Sequence, residues 1–122
     1  MKSYKCLICD DDEVTRMAVS TMLVEGGLTV VGDVDNGKDA ISECIINTPD
    51  ILFLDINMPE YDGFYVAEKL LAANPSVKIV MLSGASTLTN VRKAMKMGVK
   101  GFIVKPFTIE KILAEVERVM RH

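Results

Sequence analysis

Hydrophobic and polar positions along the chain follow two rhythms that take turns. Short, nearly unbroken apolar runs occupy residues 5–9, 28–32, 51–54, 77–82 and 101–104. Each has the length of a strand, and the run Ile51-Leu52-Phe53-Leu54 suits a strand buried on both faces. The stretches between them repeat at helical spacing. The first helix is expected over 13–25, with Val14, Ala18 and Met22 on one stripe, Asp12 capping its start and Gly26-Gly27 ending it. A second runs from about 38 to 47 before Thr48-Pro49-Asp50 breaks the chain, and a third covers 64–73 until Asn74-Pro75 stops it. Ser86 is the expected cap of a fourth helix reaching Met97, with Leu88, Val91 and Met95 in register and Gly98 closing it. The last helix follows Thr108 as cap. Its stripe of Ile109, Ile112, Leu113, Val116 and Met120 fits a period of 3.6, and Phe107 and Ile112 stand at the two positions of a hydrophobic staple.

Five strands alternating with five helices imply an α/β fold. Each crossover helix returns the chain to start the next strand in the same direction, so the sheet is parallel and doubly wound, with helices on both faces. At 122 residues and 49% hydrophobic content the chain has room for one core, and a single domain over 1–122 is expected. A formal net charge of -3 offers no basic footprint, which argues against direct nucleic-acid binding. No apolar run has membrane-spanning length, and the N-terminus enters a strand pattern without a signal-peptide core, so a cytoplasmic protein without membrane contact is expected.

Cys6 and Cys9 form a Cys-x-x-Cys, but inside a strand residues three apart face opposite ways and cannot close on one metal or one disulfide. They and Cys44 read as small hydrophobes. Met17, Met22 and Met81 read as core. The one histidine, His122, leaves no His-clustered metal site and no Ser-His-Asp chemistry.

In such a sheet the C-terminal ends of the strands form the crevice where ligands bind. The residues just beyond the apolar runs are Asp10 and Asp11, Asp55, Ser83 and Lys105. Three carboxylates brought together repel and hold protons unless a cation compensates them. All-oxygen ligation of this kind suits Mg²⁺. A carboxylate flanked by Mg²⁺ and an ammonium can attack phosphorus, giving an aspartyl phosphate to which the Ser83 hydroxyl could donate a hydrogen bond.

Together these motifs resemble a response-regulator receiver domain of two-component signalling, of the chemotaxis-regulator kind: Asp10-Asp11, then Asp55-Ile-Asn-Met-Pro-x-x-Asp-Gly63, Ser83, and Lys105-Pro106-Phe107. The likeness covers essentially the whole chain. It implies a flavodoxin-like three-layer sandwich with strand order 2-1-3-4-5. It implies that Asp55 is the phosphoacceptor, charged by a sensor histidine kinase or a histidine phosphotransfer protein. By the same likeness Asp11 and Asp55 are metal ligands, Asn57 offers its backbone carbonyl, and Asp10 acts largely through water. Lys105 would pair with the phosphoryl group, and its bond to Pro106 would be cis. Ser83 and Phe102 occupy the positions of the switch pair, Ser standing where Thr is commoner and Phe where Tyr is frequent. The surface of helix 4, strand 5 and helix 5 would meet a downstream target or output domain that the sequence leaves unidentified. Val91, Arg92 and Met95 on that surface could serve equally as core filler. Small Ala85, two residues past Ser83, is expected to admit water and make the phosphoryl group labile.

Plainer roles exist for each residue taken singly. Asp12 and Glu13 suit the positive end of a helix dipole, Ser83 alone would be a turn residue, and Lys105 alone a surface charge. A phosphohydrolase with an aspartate nucleophile is disfavoured because Asn57 stands where its general acid belongs. The expectation is therefore not an enzyme with turnover, only a protein catalysing its own phosphorylation and dephosphorylation. A flavodoxin-like binding module is disfavoured because acids follow the first strand, where a phosphate-cradling loop would be needed. The alternative kept is a receiver-like docking scaffold that signals without phosphorylation.

Overall fold

A computed structural model describes residues 2–73, 76–84 and 87–121. In chain order the elements are β1 (Lys5–Cys9), α1 (Glu13–Glu25), β2 (Thr29–Val34), α2 (Gly37–Asn47), β3 (Ile51–Asp55), α3 (Gly63–Ala73), β4 (Lys78–Ser83), α4 (Leu88–Met97), β5 (Gly101–Val104) and α5 (Ile109–Arg121). The five strands form one parallel sheet in the order β2-β1-β3-β4-β5, the doubly wound arrangement expected from the alternation.

Strand alternation divides the core into two layers. Cys6, Ile8, Ile51, Phe53, Val80, Leu82 and Ile103 point to the side covered by α1 and α5, where they meet Val19, Leu23, Ile112, Val116 and Val119. Leu7, Cys9, Leu52, Leu54, Ile79 and Met81 point to the other side, against Ala40 and Cys44 of α2, Val66, Ala67 and Leu70 of α3, and Ala94 of α4. Cys6 and Cys9 thus lie in different layers, and all three cysteines are buried and free. Every residue of β3 is buried, which gives the sheet a central strand with no wet face. No helix among the described residues is long and apolar enough to cross a membrane.

Helix ends follow the expected chemistry with local changes. Asn36 caps α2, its side chain accepting the Asp39 N–H at 2.9 Å. Thr87 caps α4 by accepting the Asn90 N–H at 3.1 Å, the role expected of Ser86, which lies outside the described residues together with Asn74, Pro75, Ala85 and His122. Thr108 accepts the Lys111 N–H at 3.2 Å, as the pattern before α5 requires. Asp12 takes the N-cap position of α1, but its carboxylate accepts the Thr15 hydroxyl instead of a backbone N–H.

Two helices turn a different face inward from the one the pattern suggests. In α1 the buried residues are Val19 and Leu23, while Val14 and Met17 are exposed by 72% and 63%. Seven apolar residues between 14 and 24 leave no side of this helix purely polar, so periodicity does not select a face. In α4 the residue carried into the core is Ala94; Leu88 and Met95 of the expected stripe are exposed. The second strand also runs on through Asp33 and Val34, residues read as loop, because pairing with Ile8 and Cys9 of β1 continues there.

The turn from β3 into α3 is the tightest backbone approach. A Cβ on Gly63 would stand 2.5 Å from the Asp55 carbonyl oxygen and 2.8 Å from the Ile56 Cα, and the Gly63 N–H donates to the Ile56 carbonyl at 2.8 Å. Both neighbours are backbone and cannot rotate away. Gly63→Ala is therefore expected to lower stability by about 1–3 kcal/mol in denaturant unfolding. Gly84→Ala, where a Cβ meets nothing within 4 Å, should change it by less than about 0.5 kcal/mol. Equal effects at the two positions would contradict the close approach.

Candidate functional site

Strand register assembles the site. Cys9 at the end of β1 pairs with Leu54, so the next residue, Asp10, stands beside Asp55 at the end of β3. Asp55 pairs in turn with Leu82, which places Ser83 one step further along β4. Ser83 pairs with Val104, and its carbonyl accepts the Lys105 N–H at 2.7 Å. Four strands thus bring Asp10, Asp55, Ser83 and Lys105 to one edge, and Asp11 follows Asp10 in the loop.

The acids are mostly out of water. Asp10 and Ser83 are fully buried and Asp55 is 3% exposed, while Asp11 is exposed. One carboxylate oxygen from each of Asp10, Asp11 and Asp55 lies within 4.8 Å of the others. Asp10 Oδ1 accepts the Asp12 N–H at 2.9 Å, and Asp55 Oδ1 accepts the Asn57 N–H at 3.2 Å. Among the described residues, Asp10 Oδ2 is buried without a hydrogen-bond donor, and Lys105 Nζ forms an ion pair with it at 3.5 Å. Burial, and next the Asp10 charge, push the Asp55 carboxyl up to about 6. Lys105 and the Asn57 N–H oppose that rise, and Asp11 adds to it.

These facts fit a hard cation. A buried carboxylate oxygen with no donor is costly, and three converging carboxylates form an oxygen ligand set. The cluster could hold a metal ion through Asp10, Asp11 and Asp55. Asn57 is exposed at the next turn, its backbone N–H directed to Asp55. The Lys105–Pro106 peptide bond is cis. Phe102, in the middle of β5, is half-buried, and its backbone N–H donates to Glu115 Oε2 at 2.9 Å.

Sequence reasoning passed over one residue at this edge. Arg16, in the first turns of α1, donates from Nη1 to the Asp10 carbonyl at 2.8 Å and from Nε to Asp33 Oδ1 at 3.1 Å. The available signal was its place: a cation near a helix N-terminus opposes the dipole and needs a specific acceptor.

Residues 6–117 match the family model for the response regulator receiver domain. The chain belongs to the receiver-domain family. It is 36% identical over 114 residues to the chemotaxis protein CheY of Listeria monocytogenes, covering 93% of this chain and 96% of that protein. Against the CheY of Bacillus subtilis the identity is 31% over 118 residues, covering 97% and 98%. Among solved structures, this receiver domain is similar to the CheX-CheY-BeF3-Mg²⁺ complex from Borrelia burgdorferi, with a TM-score of 0.93 at 26% identity over 96% of this chain and 89% of that one. The flavodoxin-like fold expected for a receiver domain is the fold observed.

The strained acid sets a pH dependence. Because the folded carboxyl of Asp55 titrates near 6, above its value in the unfolded chain (about 4), the stability present at low pH is lost as pH rises through 6. Asp55→Asn removes that charge. In EDTA, thermal unfolding of the variant should show it more stable than the wild type at pH 7.5, by up to roughly 3 kcal/mol. The gap should shrink toward pH 4.5. A gap independent of pH would show that the ionised Asp55 carboxylate carries no such cost.

Proposed function

We propose that this receiver domain accepts a phosphoryl group on Asp55 from a phosphohistidine of a sensor histidine kinase or a histidine phosphotransfer protein. The observation that carries this is the Asp55 carboxylate itself, buried at a strand tip with an oxygen each of buried Asp10 and exposed Asp11 within 4.8 Å, and with the partly exposed Lys105 ammonium 3.5 Å from Asp10. In the transfer, an Asp55 oxygen attacks phosphorus, the bond from phosphorus to the donor imidazole nitrogen breaks, and its electron pair stays on that nitrogen. The product is a mixed anhydride, an aspartyl phosphate.

Each neighbour has a matching task. Lys105, a compact charge at the end of β5, pairs with the incoming phosphoryl oxygens, and the Ser83 hydroxyl donates to one of them. Asp10, Asp11 and Asp55, with the Asn57 backbone carbonyl, would hold Mg²⁺, which when bound neutralises charge on the phosphoryl oxygens. The Borrelia burgdorferi neighbour, a CheX-CheY-BeF3-Mg²⁺ complex, supports this reading: a trifluoroberyllate has the shape and charge of a phosphoryl group. The chemistry is then the domain's own phosphorylation and dephosphorylation.

The output runs through β5. Movement of Ser83 toward the phosphoryl group frees space that Phe102 fills, and the surface of α4, β5 and α5 changes for a downstream target. Leu88 and Met95, exposed on α4, give that surface an apolar component.

Intact-protein mass after incubation with acetyl phosphate and Mg²⁺ tests the proposal. One phosphoryl adduct is expected on the wild type, and none with EDTA or on Asp55→Asn. A wild type that takes no adduct, and no trifluoroberyllate, would support a docking scaffold that works without phosphorylation.

A further inference from the structure

We infer that Arg16 is a positioning residue, whose guanidinium fixes the Asp10–Asp11 peptide group and thereby sets where the Asp11 carboxylate stands for a divalent cation. For its ligand the inference rests on the metal-assisted transfer proposed above. Its geometry is independent of that proposal.

The Asp10 carbonyl that receives Arg16 Nη1 at 2.8 Å belongs to the peptide bond leading into Asp11. Orienting that carbonyl orients the whole planar unit, including the Asp11 nitrogen. The peptide on the other side of Asp10 is held as well, since the Asp10 N–H donates to the Val34 carbonyl at 3.1 Å. Beyond Asp11, the Asp12 N–H is held by Asp10 Oδ1 at 2.9 Å. Asp11 is exposed, so the backbone that carries it decides its position more than packing does. Among the described residues, Arg16 is the side chain that grips this backbone from outside the loop.

Arg16 is itself well anchored. Its side chain is 16% exposed, and Nε pairs with Asp33 at 3.1 Å, near the end of the edge strand β2. One rigid plane therefore joins β2, the β1–α1 loop and α1. Its charge is committed to Asp33 and not to any of the three converging carboxylates, so it does not occupy the place of a cation. The fork is needed because two donors must leave the same plane toward two acceptors. A lysine keeps the charge but offers only a point donor on a flexible stem.

Charge conservation makes Arg16→Lys the deciding variant. Mn²⁺ serves as a paramagnetic probe of the oxygen site, with free ion counted by electron spin resonance on folded protein well below its unfolding midpoint. Groups that orient metal ligands typically change affinity by tenfold or more, and about tenfold weaker Mn²⁺ binding is expected for Arg16→Lys. An unchanged Mn²⁺ affinity, whatever happens to the midpoint, would overturn the inference. Should Arg16→Lys not fold, Asp33→Ala carries the same test by removing the acceptor of the Nε end alone: weaker Mn²⁺ binding supports the role and unchanged binding overturns it. A wild type that binds Mn²⁺ but takes no phosphoryl group would remove the acceptor role of Asp55 and leave the Arg16 result standing. A wild type that binds no Mn²⁺ would overturn both.

Discussion

The structure depends on keeping ionisable acids buried at the tips of neighbouring strands. Asp10 and Asp55 leave water almost completely, at the ends of β1 and β3, with one cation, Lys105 Nζ, 3.5 Å from Asp10. Desolvating two carboxylates beside each other is unfavourable, and the raised Asp55 carboxyl is its direct expression. The arrangement persists because the backbone leaves little freedom to relax it. β3 is buried along its whole length, β1 and β4 flank it in register, and Gly63 packs its backbone against the Asp55 carbonyl.

The same constraint explains how the core is divided. A strand with apolar contacts on both faces requires helices on both sides, and the two layers meet that need with α1 and α5 opposite α2, α3 and α4. The apolar burial of those layers offsets the electrostatic cost at the edge, so instability is concentrated where chemistry is wanted. Arg16 extends the rigid part of the edge into the loop that carries Asp11. The chain's similarity to CheY proteins covers these elements together, strands, acids and the segment through Lys105.

Helix faces were less legible than strands. A solid run such as Ile51 to Leu54 admits few placements, and the acid after it must emerge at the strand's end. In α1, apolar residues on nearly every side left the choice of face to competition for space against Cys6, Ile8 and Phe53, which Val19 and Leu23 win and Val14 does not. In α4 the inward position went to Ala94, a side chain small enough to let the helix approach the sheet beside Val99, and Leu88 and Met95 were left outside. Arg16 escaped notice for a related reason. Its partners are a backbone carbonyl and an acid on a strand from a different part of the chain, and no local pattern encodes that meeting.

What the sequence determined alone is what local periodicity and punctuation can carry: five strands, five helices, their order, and the fact that Asp10, Asp55, Ser83 and Lys105 each end an apolar run. Parallel strands of alternating type leave few topologies, so the common edge followed as well. Tertiary structure decided the quantities that arise only when strands come together. These are the orphaned oxygen of Asp10, the upward push on Asp55, the approach of Gly63 to backbone, and the grip of Arg16 on the loop. They depend on distance and on exclusion of water, and neither exists until the strands stand side by side.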